Sequence, residues 1–185
     1  MTDPVPATSI RVVPSATVSP GEWSALTELC EAAFNEAWGD YWESIGPGVH
    51  VLAEDPERGI LAHAAIVDRL LYPGDAVLRA GYVEAVAVAP DLQRRGLGTK
   101  VMEVIDGVVD AGYELGGLGT GSHGFYHRLG WITWRGPTWI RERDGHLERS
   151  PDEDGGIMVR LTPTTPADLD LTVPLAVDWR PGEVW

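Results

Sequence analysis

The stretch from Tyr82 to Gly112, with Gly81 in front of it, constrains this chain more than any other; it begins GYVEAVAVAPDLQRRGLG and ends in VIDGVVDAG. It reads as a strand, a tight basic turn and a helix in immediate succession. Val83, Ala85, Ala87 and Ala89 alternate with Glu84, Val86 and Val88, so both faces are apolar except at Glu84, as expected of a central strand. Pro90 ends the run, because proline cannot donate to a ladder. Leu97, Val101, Val104, Ile105 and Val108 then recur at helical spacing, placing a helix beyond Gly98, and Gly112 supplies its stop. Between strand and helix lies the turn Gln93-Arg94-Arg95-Gly96-Leu97-Gly98. Its two glycines let the backbone approach a ligand, amides face outward at the helix N-terminus, and the arginines offer bidentate donors, which together make an anion cradle. The plain alternative is a helix start after a loop that binds nothing.

With 185 residues and 44% hydrophobic composition, the chain suffices for one well-buried core and is short for two ordinary domains, so residues 1–185 are expected to form a single domain. A formal net charge of −14 disfavours nucleic acid or an anionic membrane as partner and suits a polycationic one. The same acidity also serves solubility alone. The single cysteine, Cys30, excludes an intramolecular disulfide framework and fits a reducing compartment. It stands among Trp23, Leu26 and Ala33 at helical spacing and reads as a small core residue. Neither a leader pattern nor a bilayer-length apolar run occurs, which points to a cytoplasmic protein. A homodimer is compatible with all of this.

Taken in order, Thr8 to Val13 alternates weakly as a first strand. Ser19-Pro20-Gly21-Glu22 combines an N-cap serine, a first-turn proline and a capping-box glutamate, which starts a helix running to about Phe34. Asn35 to Gly48 is irregular and mixes Glu36, Asp40 and Glu43 with Trp38, Tyr41 and Trp42; it suits either a lid over an amino sugar or a short amphipathic helix with an acidic side. Val49 to Ala53 and Ile60 to Leu71 read as strands. A hairpin turn at Pro73-Gly74-Asp75 leads into the central strand. After the central helix come a short strand, Tyr113 to Leu118, and a helix capped by Ser122 that ends at Gly130. Trp131 to Trp134, Thr138 to Glu142, Gly156 to Leu161 and Leu171 to Asp178 are further candidate strands, with an acidic loop at Glu148 to Gly155. The pattern predicts an α/β protein with a mixed sheet, antiparallel in its first half and flanked by helices.

Among ionisable groups, Glu84 is the one within the central strand, where a carboxylate serves as a proton acceptor, directly or through water; a glutamate at an edge or in solvent is the alternative. His123 and His127 stand at i, i+4 but lack a third ligand at a convincing spacing, so no metal site is expected. Tyr126, beside Phe125, reads on its own as amphipathic core.

The order Val88-x-Pro90-x-x-Gln93-x-x-Gly96-x-Gly98 resembles the acetyl-CoA signature of the GCN5-related N-acetyltransferases (GNAT), with the strand before it and the helix after it. The resemblance implies the acyl-CoA N-acyltransferase fold and acetyl-CoA as co-substrate. It places coenzyme contacts at Val86, Ala87 and Val88 on the strand and at Gln93, Arg94, Arg95, Gly96, Leu97, Gly98 and Thr99 in the turn. It also implies a backbone N–H near Val86 facing the thioester carbonyl. Tyr126-His127-Arg128-Leu129-Gly130-Trp131 matches the family's Tyr-x-x-x-Gly-aromatic ending, which makes Tyr126 the acid for the departing sulfur and leaves Glu84 as the base. With no nucleophile motif in view, direct attack in a ternary complex follows.

Over most of its length the chain is similar to the aminoglycoside 2′-N-acetyltransferases. Ala62-His63-Ala64-Ala65, Arg79 to Val88, Trp134-x-Gly136-Pro137-Thr138, Pro151-Asp152-x-Asp154-Gly155 and Asp178-Trp179-Arg180-Pro181-Gly182-x-Val184-Trp185 carry this likeness. It implies a cationic aminoglycoside as partner, held by Asp152, Glu153, the terminal carboxylate of Trp185, the strand at Glu84 and Ala85, and an early acid, Glu36 or Asp40. The alternatives are another amine (a kasugamycin-type amino sugar, a polyamine or a peptide amine) and a non-catalytic acetyl-CoA sensor.

Overall fold

The computed structural model describes residues 8–38 and 40–185. In chain order the elements are β1 (Ser9–Pro14), α1 (Pro20–Phe34), α2 (Tyr41–Ile45), β2 (Gly48–Asp55), β3 (Gly59–Pro73), β4 (Leu78–Val88) and α3 (Leu97–Gly112). There follow β5 (Leu115–Gly119), α4 (His123–His127), β6 (Ile132–Thr133), β7 (Thr138–Arg141), β8 (Leu147–Arg149), β9 (Ile157–Leu161) and β10 (Leu175–Asp178). They form two compact units, and β3, β4 and α3 run through both: Met1–Val67 with Val83–Ile105, and Asp68–Tyr82 with Asp106–Trp185.

In the first unit, β1 and β2 pair antiparallel, as do β2 and the first part of β3. Helix α1 begins as its capping box dictates. The Glu22 N–H donates to Ser19 Oγ at 3.3 Å, and the Ser19 N–H donates back to Glu22 Oε2 at 2.7 Å. Asn35 closes the helix in the left-handed region at φ 57. Arg11 on β1 ties the layer together by donating to both Glu54 oxygens, at 3.0 and 2.9 Å, and to Glu22. The apolar face of α1 buries Leu26 against Val13, Val18 and Leu52, with Trp23, Trp42 and Ile60 packed alongside. Cys30 is fully buried and burial pushes its thiol up to about 12, as befits a small core residue.

In the second unit the strands hydrogen-bond in the order β6-β9-β5-β4-β3-β10-β7-β8. The sheet is mixed: β4 pairs with β5 and β10 with β7 in parallel, while β5–β9, β6–β9, β3–β10 and β7–β8 are antiparallel. Its core gathers Leu71, Leu78, Leu115, Trp134, Ile157, Val159, Leu175, Val177 and Trp185. Arg160 on β9 grips the C-terminal half of α3. It makes a bidentate pair with Asp110 at 2.8 and 2.7 Å and a second contact with Asp106 at 3.2 Å.

Several boundaries differ from the sequence expectation. Helix α3 starts at Leu97 rather than beyond Gly98, because the buried Leu97 side chain anchors its first turn. Helix α4 has only five residues and Ser122 makes no side-chain cap; the Ser122 N–H instead donates to Thr120 Oγ1 at 2.9 Å. The acidic loop is partly structured, since Leu147–Arg149 adds a short edge strand to β7 and Pro151–Glu153 forms a single 3-10 turn.

Candidate active site

The strand carrying Glu84 is not regular. Ala85 sits at φ 53, a left-handed conformation that costs a residue with a Cβ about 1–2 kcal/mol. Glu84 and Ala85 are both buried, as are Gly81, Tyr82 and Val83 before them in this central strand. Glu84 is only 6% exposed, and the Tyr41 hydroxyl donates to its Oε2 at 3.1 Å. Tyr41 is held by the aromatic segment around it: the Trp38 ring lies 4.2 Å from the Tyr41 ring and the Trp42 ring meets it edge-on at 6.5 Å.

The strained peptide is held from behind by a buried polar chain. His63 Nδ1 lies 2.9 Å from the Ala85 carbonyl oxygen, His63 Nε2 is 2.9 Å from His50 Nδ1, and His50 Nε2 is 2.8 Å from Ser15 Oγ. The Gly48 N–H donates to the same serine oxygen at 2.8 Å. The two imidazoles stack, with Trp23 and Trp42 presenting their edges to them. Burial pulls His50 down to about 4. Burial and the neighbouring His50 pull His63 down to about 3, so both rings are neutral at ordinary pH.

After β4, Pro90–Leu92 makes one 3-10 turn, and Gln93 Nε2 donates to the Val88 carbonyl at 3.3 Å, folding the loop back on the strand end. Arg94 and Gly96 are both left-handed, at φ 61 and 88. Nothing lies within 4 Å of where a Gly96 Cβ would be, so the glycine is called for by its positive φ rather than by crowding. Arg94, beside it, is exposed.

In the second unit, Tyr126 on α4 is buried against Phe125 and Trp131, and burial pushes its hydroxyl up to about 12. It therefore stays protonated at neutral pH. Trp185 is buried too, its Nε1–H donating to Ser150 Oγ at 3.0 Å. Arg69 pins the segment before it by donating to the Asp178 carbonyl at 2.8 Å and to the Val184 carbonyl. Asp152 is exposed and Glu153 half-buried. Burial, then the charges of Glu183 and Asp152, raise the Glu153 carboxyl, so three acids share one locality.

A family model described as "Acetyltransferase (GNAT) domain" matches residues 16–133. The chain belongs to the GNAT acetyltransferase family. A relative from Mycolicibacterium fortuitum, an aminoglycoside 2′-N-acetyltransferase, is 39% identical over 164 residues, covering 86% of this chain and 81% of that protein. The fold is that of a GNAT family N-acetyltransferase from Escherichia coli solved in complex with CoA: TM-score 0.64 at 16% identity, covering 96% of this chain and 93% of the other. A GCN5-related N-acetyltransferase from Kribbella flavida matches with a TM-score of 0.54 at 18% identity; there the chain covers 34% of the larger protein with 68% of its own length.

Within this GNAT frame the first unit holds Glu84, Ala85, Val86, Ala87 and Val88 on one strand and Gln93, Arg94, Arg95, Gly96, Leu97, Gly98 and Thr99 in the turn and helix start that follow. Glu36 and Asp40 are exposed in the same unit. Of that acidic and aromatic segment, Tyr41 is the residue found hydrogen-bonded to Glu84. Tyr126, Asp152, Glu153 and Trp185 lie in the second unit. Sequence reasoning placed Tyr41 in a lid and His63 in a block of family likeness without giving either a partner, and it missed Ser15 and His50. The signal for the histidines was present, since two histidines stand inside otherwise apolar strand runs, His50 in VHVLA and His63 in LAHAA. Asp154, in the same acidic loop, is structural: it accepts from the Thr138 N–H and hydroxyl and from Arg149, which holds its carboxyl far below the usual range. His123 and His127 spend ring nitrogens on the carbonyls of Gly155 and Trp131. No helix among the described residues is long and apolar enough to cross a membrane.

Proposed function

We propose that this GNAT acetyltransferase moves the acetyl group of acetyl-CoA onto the 2′-amine of an aminoglycoside by direct attack in a ternary complex. The observation that carries the reading is Glu84, a buried carboxylate hydrogen-bonded by Tyr41 next to the left-handed Ala85. The relative named as an aminoglycoside 2′-N-acetyltransferase supports the substrate. The amine nitrogen attacks the thioester carbon and the C–S bond breaks. Glu84 takes the proton lost by the nitrogen, directly or through water, and Tyr126 gives its phenolic proton to the departing sulfur. The Val86 N–H stabilises the charge on the carbonyl oxygen. The turn at Gln93 to Thr99 receives the pyrophosphate, and Asp152, Glu153 and Trp185 serve the sugar, with Glu36 or Asp40 as an outer acid. The polycationic antibiotic suits the net charge of −14, and its acetylation in the cytoplasm confers resistance.

Steady-state release of CoA with matched 2′-amino and 2′-hydroxyl aminoglycosides tests this. Turnover is expected only with the 2′-amine; equal rates on both would remove the regiochemical assignment. Glu84→Gln and Tyr126→Phe should each lower kcat by about 10²-fold or more while leaving the affinity for CoA within about threefold. Unchanged kcat in both variants would transfer the proton steps to other groups.

A further inference from the structure

The buried chain behind Ala85 has a direction that can be worked out. A backbone carbonyl only accepts, so the Ala85 oxygen requires a proton on His63 Nδ1, 2.9 Å away. A neutral His63 then presents Nε2 as an acceptor, and the donor facing it can only be His50 Nδ1–H. His50 Nε2 is left as an acceptor for the Ser15 hydroxyl at 2.8 Å, which that proton prefers to the Gly48 carbonyl at 3.1 Å. Every donor points one way, from Ser15 toward Ala85. The chain ends on an amide oxygen, which accepts a hydrogen bond but passes no proton onward, so it is no relay. Its effect is mechanical.

We infer that His63, backed by His50 and Ser15, is a positioning residue that clamps the Ala85–Val86 peptide and so aims the Val86 N–H at the thioester oxygen. The inference rests on the acetyl-transfer reading above. A peptide is planar and trans, so its C=O and N–H point in opposite directions. A carbonyl held on the His63 ring thus sends the Val86 N–H away from the histidines. Without the clamp, the strain at φ 53 relaxes toward an ordinary strand conformation, and the plane turns with it. Neither histidine touches substrate in this scheme, and neither changes charge during turnover. What they supply is orientation, and an oxyanion donor aimed wrongly costs about 10²–10³-fold in rate.

The proposal is tested on the full chain by one spectroscopic and one kinetic measurement. Nitrogen-15 NMR of the wild-type protein at neutral pH should show His63 and His50 each protonated at Nδ1 and bare at Nε2, the less common tautomer of a free imidazole. An Nε2-protonated His63 would overturn the proposal without any variant being made. His63→Leu, which keeps bulk and removes the donor, should lower kcat by about 10²-fold with the KM for the amine and the affinity for CoA within about threefold. His63→Asn, whose amide nitrogen stands near the Nδ1 position, should recover kcat to within about tenfold of wild type. A crystal structure of His63→Leu should find Ala85 out of the left-handed region. Full kcat with Ala85 unmoved would overturn the clamp. If the wild-type enzyme leaves aminoglycosides untouched, the substrate reading falls, and the His63 tautomer and the Ala85 conformation still decide the clamp.

Discussion

The two buried histidines make the folded chain sensitive to mild acid, and the size of the effect follows from their surroundings. An unfolded histidine takes up a proton near pH 6.5, whereas in the fold burial holds His50 neutral down to about 4 and His63 down to about 3. Between those limits the unfolded state binds more protons, so stability falls as pH falls and recovers as it rises. At about pH 5, roughly one and a half pH units below the unfolded value, each ring costs about 2 kcal/mol, and the pair about 4 kcal/mol relative to pH 8. That is a large share of a stability of about 5–15 kcal/mol. The figure is set by the unfolded side alone, since both folded values lie below pH 5. Glu22, whose carboxyl the capping box lowers to about 2, loses its contribution only below its unfolded value of 4.5, so the window from pH 8 to pH 5 separates the histidines from it. Urea denaturation at pH 8, 6.5 and 5, on wild type and on the double variant His50→Asn, His63→Asn, reads the effect. The double variant should lose little between pH 8 and 5. A wild-type loss under about 1 kcal/mol, or an equal loss in the double variant, would refute the argument.

Three further predictions concern single side chains. Arg160→Met leaves the half-buried Asp106 and Asp110 carboxylates without their shared cation and should cost about 2 kcal/mol in urea melts at neutral pH. Gly136→Ala would place a methyl group 1.8 Å from the Val173 carbonyl oxygen, which the backbone must move to relieve; a loss of at least about 3 kcal/mol, or failure to accumulate as folded protein, is expected by thermal denaturation. Tyr41→Phe removes the hydroxyl that donates to Glu84 and should lower kcat about fivefold, about 1 kcal/mol, with thermal stability little changed. A kcat equal to wild type would take Tyr41 out of the site.

The strand-turn-helix at the centre was legible because each of its signals is local: apolar residues in the strand, Pro90 to end it, glycines in the turn and a helical repeat after it. Helix α1 was legible to the residue, since Ser19, Pro20 and Glu22 fix its start by short-range hydrogen bonds. The distortion at Ala85 was not. Alanine carries no preference for positive φ, and the contact made by its carbonyl, with His63 on the neighbouring strand, spans 22 positions. Strand β8 escaped for a similar reason. Leu-Glu-Arg has almost no apolar pattern of its own, and the strand exists because β7 offers it a ladder. Ser122 satisfied a capping rule on paper, but α4 is too short to establish the turn that such a cap would close.

The placement of the strain gives the site its logic. A central strand is covered on both faces, and Ala80 to Ala85 are all shielded from water; the left-handed φ at Ala85 is a local irregularity within that buried run. Such a conformation persists only where the surroundings over-determine it. Here the groups against the peptide are neutral, a stacked imidazole pair edged by Trp23 and Trp42, so they bring no buried cation that would pair with Glu84. A lysine or arginine in place of His63 could donate to the same carbonyl, yet it would bury a positive charge within the sheet. A buried neutral donor meets both demands, and the pulled-down values of the two imidazoles keep it so above about pH 4.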